Sequence, residues 1–310
     1  VREAVVEDDE DGYGPEGCDI DHAVRDPHQV AGHGDLLRAK DLVFKPAVAT
    51  ELAFYETVNG GATKASWIGF LPSYGGCHER TIEKGQTRRF IALENLTAGY
   101  RHPCVMDVKL GTRQHLDDMS KEKIVESIAK CQRSTSASLS LRVCGMKVYK
   151  RDRHAYHFYG KQWGRALRPD QFQGAVREFL NPFVDSSQPA AAASDGTPAS
   201  VVEKESVWSV PVQQRHALLA ELAKFFVARL RALLDALEAE PPRYSFVSSS
   251  LLLVYDGDRS LVGPGRLHAD MRMIDFGQTH PISPDRPFVD TNIRLGISNL
   301  ISFFSQVTSA

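Results

Sequence analysis

Pro103 to Gly111 reads Pro-Cys-Val-Met-Asp-Val-Lys-Leu-Gly, an apolar segment with an acid and a base two positions apart. Side chains i and i+2 of a strand point to one face, so Asp107 and Lys109 project together from an otherwise buried strand. Burying such charges is unfavourable unless a ligand meets them. A carboxylate beside an ammonium suits a ligand that carries both hydroxyls and phosphates. The alternative is a partly exposed ion pair at a strand end.

Two later segments extend this pattern. Phe246 to Gly257 is an apolar run that ends in Asp-Gly, which is typical of a buried strand leading into a hairpin. Leu267 to Met273 alternates apolar with polar residues, which predicts a strand with one apolar face. That strand leads directly into Ile274-Asp275-Phe276-Gly277. An acid at the end of a strand, followed by Phe-Gly, is how kinase-like folds present a magnesium-binding carboxylate to nucleotide phosphates.

Together these segments resemble the inositol polyphosphate kinase family. The family pattern Pro-x-x-x-Asp-x-Lys-x-Gly matches residues 103–111, and the Ser-Leu-Leu and Ile-Asp-Phe motifs match 250–252 and 274–276. Gln29–His33 and Leu93–Leu96 match its N-terminal motif and its adenine hinge. The chain is most similar to the inositol hexakisphosphate kinase branch, through residues 111–115, 130–131, 134–137 and 142–146. The resemblance covers about residues 28–310.

The resemblance implies an α+β, two-lobed, kinase-like fold. We expect residues 1–26 to form an acidic flexible tail and 27–98 an N-lobe with an antiparallel sheet that binds the nucleotide. Residues 99–310 then form a larger α+β C-lobe. Within the C-lobe, 112–138 is a helical insertion that binds inositol phosphate, and the Ser-, Ala- and Pro-rich segment 185–200 is a flexible loop.

Several elements of these lobes are predicted by pattern. Strands are expected at 41–45, 67–71 and 90–93, and a helix that Thr50 caps is expected from Glu51 to Asn59. Ser120 predicts the start of a helix that runs to about Cys131. Long apolar stripes predict helices at 213–239 and at about 290–307.

The resemblance also implies ATP and Mg2+ as cofactors. It places Lys45 on the nucleotide phosphates with Glu51 holding it, although a lysine before Pro46 could equally lie on the surface. The backbone of Glu94 and Leu96 is expected to bind adenine, and Asp107 the ribose.

Catalysis is assigned to Asp275, Ser250 and Lys109. Asp275 is expected to hold Mg2+, because this hard cation prefers carboxylate oxygen, and the Ser250 hydroxyl to support that site. Lys109 is expected to neutralise charge on the transferring phosphoryl group, since this kind of transfer depends on positioning and charge neutralisation.

The acceptor is expected to be a small molecule, an inositol polyphosphate, bound by Lys109, Arg113, Lys123, Lys130 and Gln278. The alternative for the basic residues is a solvated helix face, because acids interleave with them. Many family members carry a histidine where Gln278 stands, which puts the acceptor specificity in doubt.

Composition limits the partners. The 310 residues carry a net charge of -2, so no overall basic field favours nucleic acid or a membrane surface, and we expect neither partner. Five scattered cysteines without a Cys-x-x-Cys pair predict a reducing compartment and no zinc site. We therefore expect a cytoplasmic or nuclear protein. We also expect a monomer, although neither charge nor cysteine content determines the oligomeric state.

The leading functional hypothesis is ATP-dependent phosphorylation of inositol hexakisphosphate to a diphosphoinositol polyphosphate. The acceptor phosphate is already ionised near neutral pH, so no strong general base is needed. Two alternatives stay open: a kinase that acts on a ring hydroxyl of a tris- or tetrakisphosphate, and a non-catalytic inositol phosphate sensor.

Overall fold

The computed structural model describes residues 2–5, 20–30, 36–61, 64–81, 85–183, 212–258, 267–285, 287–288 and 291–308. The strands in these residues are β1 Arg2–Val5, β2 Val24–Arg25, β3 Leu37–Ala39, β4 Leu42–Pro46, β5 Tyr74–Thr81, β6 Thr87–Glu94, β7 Pro103–Leu110, β8 Leu141–Lys150, β9 Ala155–Tyr159, β10 Tyr244–Ser245, β11 Ser250–Asp256, β12 Ala269–Ile274 and β13 His280–Pro281. The helices are α1 Ala49–Asn59, α2 Lys121–Gln132, α3 Thr135–Leu139, α4 Lys161–Ala166, α5 Phe172–Leu180, α6 Val212–Ala239 and α7 Ile293–Thr308.

Two antiparallel sheets form the frame of the molecule. The smaller sheet has the order β2-β3-β4-β6-β5, and the larger has the order β1-β9-β8-β7-β11-β12. Strand β7 lies between β8 and β11, and seven of its eight residues are buried. This central position explains why the sequence of β7 is almost continuously apolar. The sheets and the surrounding helices make an α+β fold, as predicted.

The main core lies between the larger sheet and the helices α5, α6 and α7. Helix α6 places Leu222, Phe226, Leu230 and Leu233 on one face, and all four are fully buried. This is the stripe that the helical period of 3.6 residues produces. Burying each such side chain stabilises the fold by about 1.5–3 kcal/mol.

Helix α1 joins the two lobes. Its Phe54 ring stacks on Phe276 with 4.4 Å between centroids, and Leu52 and Tyr55 belong to the same core as the larger sheet. The helix therefore packs against the residues that follow β12 as well as against the smaller sheet. The helix begins at Ala49, so Thr50 lies inside it and is not the cap that we predicted.

The prediction of a flexible tail over residues 1–26 is wrong at both ends of that range. Arg2–Val5 forms β1, which pairs antiparallel with β9 at the edge of the larger sheet. Ile20 is 3% exposed and packs in the core of the smaller sheet with Phe44. The acidic run 7–11 lies outside the described residues, as do the segment 185–200 and His33.

A second correction concerns residues 67–71, which we predicted to be a strand. They fall in a 3-10 helix, Ser66–Phe70, whose Trp67 is buried in the main core. A short apolar run does not distinguish a strand from a buried helical turn.

The predicted helices near 120–131, 213–239 and 290–307 are confirmed as α2, α6 and α7, within a few residues at their ends. Among the described helices, none combines the length and the apolar character that crossing a membrane requires.

Residues 26–30 connect the lobes by lying across β8. The Lys147 ammonium donates to His28 Nδ1 at 2.6 Å. Burial, and then Lys147 itself, lower the pKa of His28 to about 2, so the imidazole is neutral and accepts this bond. The Val30 carbonyl lies directly on Gly145, where a Cβ atom would overlap it.

This close approach makes Gly145 a test of the lobe connection. We expect Gly145→Ala to lower the free energy of unfolding by about 1–3 kcal/mol, because the new methyl group displaces residues 26–30. Gly174→Ala is the matched control: nothing lies within 4 Å of a Cβ at this position of α5, so it should leave stability unchanged or slightly higher. Denaturant unfolding measures both, and equal stability of the two variants would contradict the contact.

Candidate active site

A cleft of about 570 Å³ separates the smaller sheet from the larger one. Its walls come from β4, the segment after β6, the central strands β7 and β8, the residues after β12, and the helices α2 and α4. Of the predicted site residues, the cleft is lined by Lys45, Glu51, Glu94, Leu96, Asp107, Lys109, Lys130, Asp275 and Gln278. Residues from remote parts of the chain thus meet in one cavity.

The segment after β6 offers a hydrogen-bonding edge at one end of the cleft. The amides of Glu94 and Asn95 donate to the carbonyls of Ser73 and Asp41, and the Thr97 amide donates to the Asn95 side chain. Within this described segment, the Leu96 amide is left without an intramolecular partner. The Leu96 amide is therefore an available donor, and together with the Glu94 carbonyl, two residues earlier, its spacing matches the ring nitrogen and amino group on one edge of adenine.

Lys45 lies between two carboxylates. Its ammonium is 3.0 Å from Glu51 Oε1 and 2.6 Å from Asp275 Oδ1. Burial alone lowers the pKa of Lys45, but Asp275 and Glu51 together raise it above its ordinary value. The ammonium is therefore permanently charged. Glu51 also accepts a hydrogen bond from the Phe276 amide at 3.1 Å, so α1 fixes the start of the Phe-Gly turn.

Asp275 has the features of a divalent-metal ligand. It has a left-handed backbone with φ +66°, and its side chain is 33% exposed in the cleft. Two buried carboxylate oxygens near it, Glu51 Oε2 and Asp107 Oδ1, have no hydrogen-bond partner. In the described residues no group of three or more His, Cys, Asp or Glu could hold a metal ion. The donor set fits Mg2+, which binds one or two carboxylates and takes its other ligands from phosphates and water.

Asp107 and Lys109 share the floor of the cleft, as the strand period predicted. The Lys109 ammonium donates to the Ser248 carbonyl at 2.6 Å. Burial and the nearby Asp275 raise the pKa of Asp107 to about 6, against the opposing influence of Lys109, Ser250 and Arg142. Ser250 itself is fully buried in β11, between Lys109 and Ile274 on the neighbouring strands, beneath the cleft wall.

The opposite end of the cleft is basic. Lys130 of α2, Arg142 of β8, and Lys161 and Arg165 of α4 all line it. Burial, then Arg165, Arg142 and Lys130, lower the pKa of Lys161. These cations are therefore close enough to repel one another. Lys130 has an acid partner, Glu126, at 2.6 Å. The arrangement fits a compact polyanion.

The structure does not bring every predicted acceptor residue to this end. Arg113 pairs with Asp117 at 2.5 Å and donates to the His115 carbonyl, and Lys123 is exposed near the start of α2. The predicted contacts of Arg113 and Lys123 with a ligand in the cleft are thus not present in this arrangement. Helix α2 instead contributes Ser127 and Lys130.

Sequence reasoning missed Arg142, Lys161 and Arg165. Arg142 belongs to the branch-specific motif 142–146, and the residues beside it are apolar, so no local charge pattern marks it as a ligand. Lys161 and Arg165 are four positions apart on a helix of six residues, so they share one face. The spacing of four positions between these two cations is the feature of the sequence that could have identified them.

Comparison with known proteins agrees with this geometry. The sequence profile of inositol polyphosphate kinases matches residues 90–196 and 209–305. The chain is 32% identical to inositol hexakisphosphate kinase 3 of Homo sapiens over 305 residues, which cover 88% of this chain and 64% of the relative. It is 33% identical to the Mus musculus kinase of the same name over 228 residues, covering 68% of this chain and 49% of the relative.

The similarity extends to solved structures. Inositol phosphate multikinase from S. cerevisiae, in complex with ADP and Mn2+, superposes with a TM-score of 0.62 at 24% identity, covering 86% of this chain and 98% of that one. The chain belongs to the inositol polyphosphate kinase family, and the predicted family and kinase-like fold are confirmed. It spans about half to two thirds of the length of the two hexakisphosphate kinases above.

The raised pKa of Asp107 predicts a specific pH dependence. The folded protein keeps this carboxyl protonated up to about pH 6, whereas the unfolded chain ionises it near pH 3.8. The folded state therefore binds more protons between these values, and stability falls as the pH rises through them. We expect Asp107→Asn to gain about 2–3 kcal/mol of stability relative to the native protein between pH 4 and pH 7.

Denaturant unfolding of the ligand-free protein in EDTA, at several pH values, measures this difference. Asp235→Asn is the control, because Asp235 is exposed on α6, away from the cleft, and its substitution should change stability by no more than about 0.5 kcal/mol. A stability difference between Asp107→Asn and the native protein that stays constant from pH 4 to pH 7 would rule out the assignment.

Proposed function

We propose that this protein is an ATP-dependent kinase that phosphorylates inositol hexakisphosphate to a diphosphoinositol polyphosphate. One observation carries the proposal: a single cleft has a carboxylate-lysine pair at one end, a group of cations at the other, and Lys109 between them. The names of the curated relatives, inositol hexakisphosphate kinases, support the same substrate.

The nucleotide fits the end formed by β4 and the segment after β6. Adenine would accept from the Leu96 amide and donate to the Glu94 carbonyl. The nucleotide phosphates would then approach Lys45, and Asp107 would face the ribose. Asp275 would hold the divalent ion. Such an ion, when bound, neutralises charge on the β- and γ-phosphates.

The transfer itself needs little covalent chemistry from the protein. The bond between the γ-phosphorus and the oxygen that leaves with ADP breaks, and a bond forms from that phosphorus to an oxygen of the acceptor phosphate. That oxygen is already anionic, so no proton has to be removed. Lys109 would stabilise the charge on the transferring group, and one well-placed charge of this kind contributes about 3–4 kcal/mol.

The basic end of the cleft would hold the acceptor. A hexakisphosphate carries its six phosphates around the whole ring, so binding it requires several cations that approach from different directions. The cleft supplies them from three elements, α2, β8 and α4.

The described cysteines, residues 77, 104, 131 and 144, are free thiols, which supports a reducing compartment such as the cytoplasm or nucleus. We propose that the protein acts there as a monomer.

A second candidate is a kinase that phosphorylates a ring hydroxyl of a tris- or tetrakisphosphate. The contact between Lys130 and Glu126 favours it, because this acid neutralises one cation of the basic end. A non-catalytic sensor is disfavoured by the intact set of Lys45, Glu51 and Asp275, since a protein that only binds inositol phosphate has no need of it.

A panel of acceptors separates the two kinases. With ATP and Mg2+, we expect the highest kcat/KM with inositol hexakisphosphate and the product to carry a diphosphate group. Ion-exchange separation of the radiolabelled products measures this directly. Turnover confined to tris- and tetrakisphosphates would reject the first candidate and support the second.

Asp275→Asn tests the proposed metal ligand. Loss of the carboxylate should reduce kcat at least about 100-fold, because the charge on the transferring group is no longer compensated. ATP affinity in EDTA should change little, since that binding does not involve the ion. Asp235→Asn is again the surface control. An Asp275→Asn variant that keeps native turnover would show that this carboxylate does not hold the ion.

A further inference from the structure

Arg142 and Lys109 are direct neighbours across two strands. They are Cα partners in the pairing of β7 with β8, and both side chains line the cleft. Like charges directly opposite each other in a sheet are destabilising. The sheet therefore carries an unfavourable pair at the centre of its cleft-facing surface, and an anion between the two cations would relieve it.

A β-bulge creates this pairing. Asp107 pairs with Gly145, but the next residue, Val108, pairs with Val143, so Cys144 is an extra residue in β8. Continuing the register of Asp107 without the bulge would place Arg142 opposite Leu110. The bulge instead moves Arg142 next to Lys109, on the cleft side. Bulges beside active sites commonly re-aim a side chain in this way.

The Arg142 guanidinium has donors without acceptors. The residue is 5% exposed, and both Nε and Nη1 are buried without a hydrogen-bond partner. Its Nη2 atom has only long contacts, 3.5 Å to Gln114 Oε1 and 4.0 Å to Cys144 Sγ. A buried arginine that served to hold the fold together would have these donors satisfied, because leaving them unpaired costs stability.

The surroundings of Arg142 are those of an anion site. Lys109 lies opposite, and Lys130 and Lys161 are close enough for their charges to interact with one another. The acid Asp107 acts on Arg142 from the neighbouring strand, where it pairs with Gly145, three positions from Arg142 along β8. A phosphate group is the ligand that a planar guanidinium binds through two parallel hydrogen bonds.

We propose that Arg142, together with Lys109, binds the phosphate group of the acceptor to which the γ-phosphoryl group is transferred. This inference rests on the proposed function and adds a specificity-determining residue to it. An acceptor with a hydroxyl at the reacting position leaves the Arg142 donors unpaired, whereas a phosphate satisfies them. Arg142 thus favours phosphate acceptors over hydroxyl acceptors.

Arg142→Met tests the proposal, because it keeps a long side chain and removes the charge. In the ligand-free protein we expect an unchanged or higher Tm, since a buried, unsatisfied cation beside Lys109 is removed. Affinity for inositol hexakisphosphate without nucleotide, measured by calorimetry, should fall about tenfold or more. The kcat/KM for hexakisphosphate should fall more than that for a trisphosphate. Lys121→Met, an exposed lysine at the start of α2, is the control and should alter none of these values by more than about twofold.

Arg142→Lys is the second variant and covers the case in which Arg142→Met does not fold. It keeps the charge but loses the planar pair of donors, so affinity for hexakisphosphate should fall several-fold at an unchanged Tm. The inference is overturned if Arg142→Lys and any folded Arg142→Met bind hexakisphosphate within about twofold of the native protein. It is also overturned if the substitutions lower Tm and weaken hexakisphosphate and trisphosphate equally.

These outcomes separate the inference from the proposed function. If the native protein binds hexakisphosphate but does not phosphorylate it, the proposed function fails and the affinities alone decide the role of Arg142. If the native protein phosphorylates hexakisphosphate and the variants bind it normally, the function stands and the role of Arg142 fails. A native protein that does not bind hexakisphosphate overturns both.

Discussion

The contact of Lys45 with Glu51 and Asp275 is the constraint on which the arrangement of the cleft depends. The three residues belong to β4, α1 and the segment after β12, and Lys45 and Asp275 are 230 positions apart in the chain. Glu51 is fully buried, so removing Lys45 would leave its carboxylate charge without compensation, which is strongly destabilising. The stacking of Phe54 on Phe276 holds the same elements together through apolar contact. Packing and electrostatics thus fix one geometry between the lobes.

On the floor of the cleft, by contrast, the residues that serve ligand binding lower the stability of the fold. Asp107 is a buried carboxyl with a raised pKa, and Arg142 is a buried guanidinium with unsatisfied donors. Both lie on central strands, where apolar residues would be more stable. Sites that bind charged ligands commonly retain such unfavourable groups, because the ligand provides the missing partner. The neighbouring strand positions are apolar and fully buried, and their packing offsets this loss.

The parts of the site that follow a regular period could be predicted from the sequence. Asp107 and Lys109 share a face because strands alternate, and Asp275 follows a strand with a clear apolar face. Arg142 could not be placed, because its orientation depends on a bulge that no local pattern signals. Likewise β1 gains its structure from pairing with β9, so its sequence reads as a tail. Arg113 and Lys123 were assigned by charge and by position in a motif, and neither fixes the direction of a long, flexible side chain.

One irregularity in β8 connects both ends of the cleft. The bulge leaves Gly145 opposite Asp107 and places Arg142 opposite Lys109. Gly145 has no Cβ, which allows the Val30 carbonyl to lie against β8 and brings residues 28–30 to the wall of the cleft. A slip of one residue in this pairing would turn Arg142 toward the core and move a side chain under Val30. The register between β7 and β8 therefore determines the shape of the cleft where residues 28–30 line it. It also determines the charge of the basic end, where Arg142 lies. A change at the bulge should affect both ends together, whereas a change confined to α4 should affect only the basic end.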